Sequence, residues 1–289
     1  MSIPTTPAVR FADLNGDGRA DYVWLAQDGA TTAYLNQRLP DPDPAYHNVP
    51  NPKNASLHWL PQGLVGPAVG GRREQIHFAD LNGDGRAEYI TVHPNGSVSA
   101  WLNAGSNDAY GPAAAKVAWR AQGLVFNGFG NDGAGVRFAD LNGDGLPEYL
   151  HLDANGDLYV FLNQGGLRDG SSMRWNDSGI VASNPSVDRA NVIFADVNGD
   201  GRADLIEVSK KSGSVRARMN LGVSDKEANR GRVGWGDWIE LVAKNVTGEG
   251  GVQFADLNGD GRAELVEVGQ EDSSVRGWVN GCLRERVLE

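Results

Sequence analysis

FADLNGDGRADYVWL occupies residues 11–25, and three carboxylates and two glycines are packed into its loop between two apolar segments. The phrase returns four times. FADLNGDGRAEYITV starts at Phe78, FADLNGDGLPEYLHL at Phe138, FADVNGDGRADLIEV at Phe194 and FADLNGDGRAELVEV at Phe254. A repeat of this kind sets the architecture before any local reading does. The five Phe anchors are 67, 60, 56 and 60 residues apart. That period is too long for a helical-pair solenoid and suits a unit of four strands.

Alternation of apolar and polar residues divides each unit. A short strand (AVRF, QIHF, GVRF, NVIF, GVQF) precedes the acidic loop, and a second strand (DYVWL, EYITV, EYLHL, DLIEV, ELVEV) follows it. Asp28-Gly29, Asn95-Gly96, Asn155-Gly156 and Ser212-Gly213 then read as tight hairpin turns, which need residues that accept a positive φ. A third strand ends in a recurrent asparagine: Asn36, Asn103, Asn163, Asn220 or Asn280. A longer polar loop leads to a fourth strand carrying Trp59, Trp119, Trp175 or Trp235. Four short antiparallel strands repeated about an axis make a β-propeller, so we expect an all-β fold of five four-stranded blades forming one domain over residues 1–289. Its repeats start near residues 9, 76, 136, 192 and 252. Aromatic side chains are expected to fill the space between blades. After Asn280 only GCLRERVLE remains, so the last blade is either completed by LRERVLE after a Gly281-Cys282 turn or left incomplete. The alternative architecture is a fragment of a larger ring.

The loop carries the chemistry. Counted from its first Asp, positions 1, 3, 5 and 9 are Asp13, Asn15, Asp17 and Asp21 in the first copy and Asp80, Asn82, Asp84 and Glu88 in the second. They are Asp140, Asn142, Asp144 and Glu148 in the third, Asp196, Asn198, Asp200 and Asp204 in the fourth, and Asp256, Asn258, Asp260 and Glu264 in the fifth. Position 6 is always Gly. This is the D-x-N-x-D-G opening of a calcium loop, in which alternate side-chain oxygens turn onto one cation and position 7 offers its carbonyl. Position 7 is accordingly free to vary, as Arg19, Arg86, Leu146, Arg202 and Arg262, with its side chain expected to point away. An EF-hand would close with Glu at position 12, but Trp24, Thr91 and His151 stand there in three copies, so position 9 closes the site instead. Without a cation, three carboxylates within nine residues repel one another. The loops hold fifteen of the 37 acidic residues, and five calcium ions would bring the formal charge of −11 close to neutral. Magnesium gives up its water too reluctantly to replace calcium in a flexible cage.

FxDxNGDGxxD followed by a strand resembles the FG-GAP or VCBS repeat, and the resemblance covers five units from Phe11 to the end. It implies an integrin-α-like calcium-binding propeller of the kind found in secreted proteins. Such propellers serve as lectins, adhesion modules and appendages of secreted hydrolases. No G-D-S-L block, G-x-S-x-G elbow or H-E-x-x-H occurs, and a catalytic partner domain would lie outside this chain. The five His residues show no metal-ligand spacing, and Cys282 is the lone cysteine.

The remaining expectations concern partners and place. The acidic balance argues against nucleic acid, and no run of about 20 apolar residues marks a membrane span. The N-terminus shows no signal-peptide pattern, which fits an intracellular protein or a mature or excised piece of a longer one. Four N-x-S/T sequons, at Asn54, Asn95, Asn176 and Asn245, fit an extracellular protein. Topology places the blade-to-blade linkers on the face opposite the acidic loops. There Arg72, Arg73, Asn127, Asn131, Asp132, Asp188, Arg189, Asn191 and Glu249 form a candidate rim for sugar hydroxyls. The leading expectation is a non-catalytic module recognising a glycan or protein. An enzyme with its site on the axis and a purely structural spacer are the alternatives.

Overall fold

The computed structural model describes residues 8–38, 57–66, 71–105, 117–167, 171–183, 188–209, 212–223, 233–242, 246, 251–269 and 274–280. Among the described residues, nineteen strands form five antiparallel sheets. The first blade is β1 (Val9–Ala12), β2 (Asp21–Leu25), β3 (Thr31–Arg38) and β4 (Leu57–Leu64). The second is β5 (Ile76–Ala79), β6 (Glu88–Val92), β7 (Val98–Asn103) and β8 (Trp119–Phe126). The third is β9 (Val136–Ala139), β10 (Glu148–Leu152), β11 (Asp157–Asn163) and β12 (Trp175–Ser183). The fourth is β13 (Val192–Ala195), β14 (Asp204–Val208), β15 (Val215–Val223) and β16 (Val233–Val242). The fifth shows β17 (Val252–Ala255), β18 (Glu264–Val268) and β19 (Val275–Trp278). The proposed fourth strand of that blade, LRERVLE, lies outside the described residues.

The ring closes on itself. Inner strand β1 packs against both β5 and β17, and β13 packs against β9 and β17. The His77 and Phe138 rings bridge β5 and β9 edge to face, with centroids 5.9 Å apart. The alternative of a fragment from a larger ring is therefore overturned, because blade five contacts blade one directly. Ala20 N–H donates to the Asp256 carbonyl at 2.7 Å, and Gln253 Nε2 donates to the Val9 carbonyl at 2.9 Å.

Each seam holds an apolar cluster. Leu14, Val23 and Ala33 of blade one meet Ala87, Phe78 and Trp119 of blade two. Leu81, Ile90 and Val98 meet Val136, Tyr149 and Phe161. At the closing seam, Phe11 and Trp59 meet Leu257 and Val266. Because a blade is covered on both faces, β6, β10 and β18 are buried along their whole length. Burial of each Leu- or Ile-sized side chain stabilises the fold by about 1.5–3 kcal/mol. The aromatics also carry polar contacts across the seams. Trp119 Nε1 donates to the Val65 carbonyl at 2.5 Å and Trp175 Nε1 to the Val125 carbonyl at 3.0 Å. Tyr89 and Tyr149 donate their hydroxyls to the hairpin carbonyls of Gly29 and Gly96 on the preceding blade, at 3.1 and 3.0 Å.

Candidate metal centres

The acidic loops join the first and second strand of every blade, where the chain must reverse while presenting oxygen donors. In the second loop the Asp80 carboxylate accepts N–H bonds from Asp84 at 3.0 Å and Gly85 at 2.7 Å. Gly85 has a φ of 87°, a conformation that L side chains rarely adopt, and this is what position 6 demands. Asn82 Oδ1 accepts the Asp84 N–H at 2.8 Å, and Asp84 Oδ1 accepts the Arg86 N–H at 3.0 Å. Glu88 is fully buried, and its Oε2 accepts the Leu81 N–H at 2.6 Å. Main-chain amides thus fix every carboxylate before any ligand arrives.

Oxygens of Asp80, Asp84 and Glu88 lie within 4.8 Å of one another, and so do those of Asp140, Asp144 and Glu148. Calcium binds oxygens at about 2.3–2.6 Å, so donors on opposite sides of its shell stand about 5 Å apart. The donor set and its span fit that ion. Burial, chiefly, pushes Glu88 and Glu148 up to about 8, with the Asp residues at positions 1 and 5 adding like-charge repulsion. A bound cation would reverse that penalty.

The five loops are not identical. Position 9 is Asp in the first and fourth copies, one methylene shorter than Glu. Asp21 spends one oxygen on the Leu14 N–H and the other on the Asn36 N–H, both at 2.8 Å. Asp204 does the same with Val197 at 3.1 Å and Asn220 at 2.8 Å. Asp21 is pushed up to about 7 and Asp204 to about 6, mainly by burial. Glu264 of the fifth loop bonds the Leu257 N–H at 2.7 Å and Asn258 Nδ2 at 2.9 Å, and burial raises it to about 7. Among the described residues, only the second and third loops gather three carboxylates within 4.8 Å.

The position 7 side chain does not point away, as its sequence context suggests. Arg19 returns its guanidinium to Asp17 at 2.5 Å, Arg86 reaches Asp84 at 2.7 Å and Arg202 reaches Asp200 at 2.6 Å. Arg262 stands 3.6 Å from Asp260. The aliphatic stems lie over the position 4 glycine of the preceding loop, where a Cβ on Gly16 would come within 3.2 Å of Arg86. Leu146 covers Gly83 in the same way.

The recurrent asparagine has a function that the sequence reading left unassigned. Asn36 Nδ2 donates to the Ala20 carbonyl of its own blade at 3.2 Å and to the Leu257 carbonyl of the preceding one at 2.8 Å. Asn103, Asn163, Asn220 and Asn280 make the equivalent pair at the other four seams. The amide N–H of position 8 adds a second seam bond, Ala87 to Asp13, Ala203 to Asp140, Ala263 to Asp196 and Ala20 to Asp256, each at 2.7 Å. Pro147 has no N–H to offer at the remaining seam.

The linker face is only partly the open polar rim expected. Asp132 and Asp188 cap the 3-10 turns Gly133–Gly135 and Arg189–Asn191. Arg72 closes the turn Arg73–Gln75: its N–H donates to Gln75 Oε1 at 2.8 Å and its carbonyl accepts the Gln75 N–H at 2.8 Å. Arg189 pairs with Asp132 across blades three and four. Asn127 and Asn131 are exposed and Asn191 is half-buried, while Glu249 lies outside the described residues. His151 is buried under the same turns, facing the Phe129 and Tyr159 rings.

A closed five-bladed ring with one acidic loop between the first two strands of each blade defines a repeat-built β-propeller scaffold. The chain belongs to the FG-GAP-like repeat family, whose model matches residues 13–91, 80–151 and 140–206. No curated protein matches the sequence. Among solved structures, a lectin of Agrocybe aegerita described as recognising non-reducing terminal N-acetylglucosamine is 24% identical, with a TM-score of 0.48 over 96% of this chain and 64% of that one. A TcdB2–TccC3 structure is 20% identical, with a TM-score of 0.49 over 95% of this chain and 14% of that one. A Photorhabdus luminescens Tc holotoxin pore is 18% identical, with a TM-score of 0.43 over 94% and 14%. The chain therefore spans less than two thirds of each of these proteins. No described helix is long and apolar enough to cross a membrane.

Proposed function

We propose that this chain is a calcium-stabilised binding module, secreted, that presents a glycan- or protein-recognising surface, either alone or beside a catalytic domain on a longer chain. The supporting observation is the preorganised trio of carboxylates at Asp80, Asp84 and Glu88, repeated at Asp140, Asp144 and Glu148. Side-chain oxygens at positions 1, 3, 5 and 9 and the carbonyl at position 7 would hold the ion. Bound there, calcium supplies charge neutralisation and a tie between the first two strands of each blade. Redundant rigid blades leave the loops and linkers free to carry recognition, a division of labour usual in propellers and other β-folds.

Metal analysis of the purified protein after mild dialysis tests the first half of this reading. One calcium per loop, about five per chain, is expected at extracellular calcium levels. Two or fewer would refute one ion per repeat and restrict the metal to the two clustered loops. A glycan array probed with calcium present tests the second half.

A further inference from the structure

The inner strands assemble a second polar group of residues at the axis of the ring. They read Val-Arg-Phe-Ala, Ile-His-Phe-Ala, Val-Arg-Phe-Ala, Val-Ile-Phe-Ala and Val-Gln-Phe-Ala. Successive strand residues face opposite ways, and the first residue of each strand is turned into its blade, with Val9, Ile76 and Val136 fully buried. The second residue consequently faces the axis. Arg10, His77, Arg137, Ile193 and Gln253 line a cavity of about 310 Å³ there.

We propose that this axial cavity binds a small oxyanion, a carboxylate or a sulfate- or phosphate-like group, between Arg10 and Arg137 with His77 beside it. Three features of the site carry the proposal. The first is charge: the chain has a formal charge of −11, yet the residues lining the cavity include two arginines and no Asp or Glu. The second is convergence. The three basic side chains come from consecutive blades, and the fields of both guanidiniums act on the same His77 imidazole. That imidazole is driven down to about 3 by burial first and then by the two arginines, so it is neutral at pH 7 and offers a hydrogen bond without charge. The third is preorganisation. Arg137 Nη1 donates to the Ala134 carbonyl at 2.9 Å and the Val136 carbonyl at 2.7 Å, and its Nη2 to the Arg189 carbonyl at 3.4 Å. These take three of the five guanidinium donors.

The surroundings favour anion entry. Burial holds Arg10 down at about 10, aided by the charge of Arg73 and opposed by Glu74. Arg137 is lowered by burial and by Arg189, with Asp132 opposing, and Asp132 is already paired with Arg189. Cations held in a narrow site with low-dielectric walls interact strongly with an incoming anion. The volume lies at the small end of ligand pockets and suits a free oxyanion or an acidic monosaccharide. Ile193 and the Phe side chains of the inner strands supply the apolar part of the wall. No residue of the acidic loops takes part, so the proposal is independent of the metal reading.

Calorimetric titration of the full chain, at fixed calcium and fixed ionic strength in sodium chloride, tests it. The probes are sodium sulfate, sodium glucuronate and neutral glucose. One oxyanion bound per chain, with no heat from glucose, is expected. Sulfate alone points to a free tetrahedral oxyanion, whereas tighter glucuronate points to an acidic sugar. Arg137→Gln removes a charged donor and should weaken binding at least about tenfold. Arg10→Gln, read in parallel, covers the case in which Arg137→Gln fails to fold. The proposal is overturned if neither anion binds, or if the folded variants bind as tightly as the parent. A chain that binds glucuronate while holding fewer than five calcium ions would refute the metal count alone.

Discussion

Two residues of the same blade, Asp84 and Asn103, illustrate how different duties are assigned within one repeat. Asp84 sits at position 5 of its loop, partly buried, with its carboxylate on the Arg86 N–H and guanidinium. Asn103 is fully buried and joins the carbonyls of Ala87 and Leu14 at 3.2 and 3.0 Å. Asp84→Ala removes one candidate metal donor and leaves the seam intact. Calcium titration of that variant should show one site fewer than the parent, with the others retained. Asn103→Ala leaves two buried carbonyls without their donor, each costing about 1–3 kcal/mol. Denaturant unfolding should show it about 2–4 kcal/mol less stable, with the calcium count unchanged at saturating metal. Loss of calcium in Asn103→Ala but not in Asp84→Ala would reverse the assignment.

At the scale of elements, the hairpins are tied to the next blade, whereas the outer-strand bulges stand clear of it. Gly96 has a φ of 83°, and a Cβ there would lie 2.9 Å from the Phe129 carbonyl oxygen and 3.0 Å from the Tyr149 hydroxyl. Gly123 has a φ of 71° in β8 at a register shift, and a Cβ there would meet nothing within 4 Å. Gly123→Ala therefore incurs only the left-handed backbone cost, about 1–2 kcal/mol. Gly96→Ala incurs that cost and also disturbs the bond from Tyr149 to the Gly96 carbonyl, for a total of about 2–4 kcal/mol. Urea unfolding of the two variants should rank them in that order, and equal losses would show that the hairpin does not bear on its neighbour.

The whole molecule is a ring in which every seam repeats the same asparagine bonds, including the seam that joins blade five to blade one through Asn36 and Leu257. A ligand that binds the folded ring and not the unfolded chain stabilises it by mass action, about 2.7 kcal/mol per site at a hundredfold excess over Kd. Excess chelator should thus lower the melting temperature, and added calcium should restore it. An unchanged melting curve in chelator would mean that the loops hold their shape by main-chain hydrogen bonds alone. That outcome has a physical basis in this structure, since amides already grip Asp80 and Glu88.

The sequence by itself determined the five-bladed plan, because strand alternation, hairpin dipeptides and a fivefold acidic phrase are local signals that need no partner. It also named the acidic loop residues, and the structure brings three of their carboxylates within 4.8 Å of one another in the second and third loops. Closure of the ring was not legible, because the bonds from Asn36 to Leu257 and from Ala20 to Asp256 join residues far apart in the chain. The recurrent asparagine was visible as a pattern, but its duty was not, as both its acceptors are main-chain carbonyls that carry no side-chain signature. Position 7 was misread for a related reason. A free carbonyl is all the loop needs from it, yet the packed ring folds the Arg86 stem onto Gly16 and its guanidinium onto Asp84. The axial cavity was the least legible feature. Arg10, His77 and Arg137 share the second place in short strands otherwise apolar, a usable signal, but only the closing of five blades about one axis brings these three side chains together.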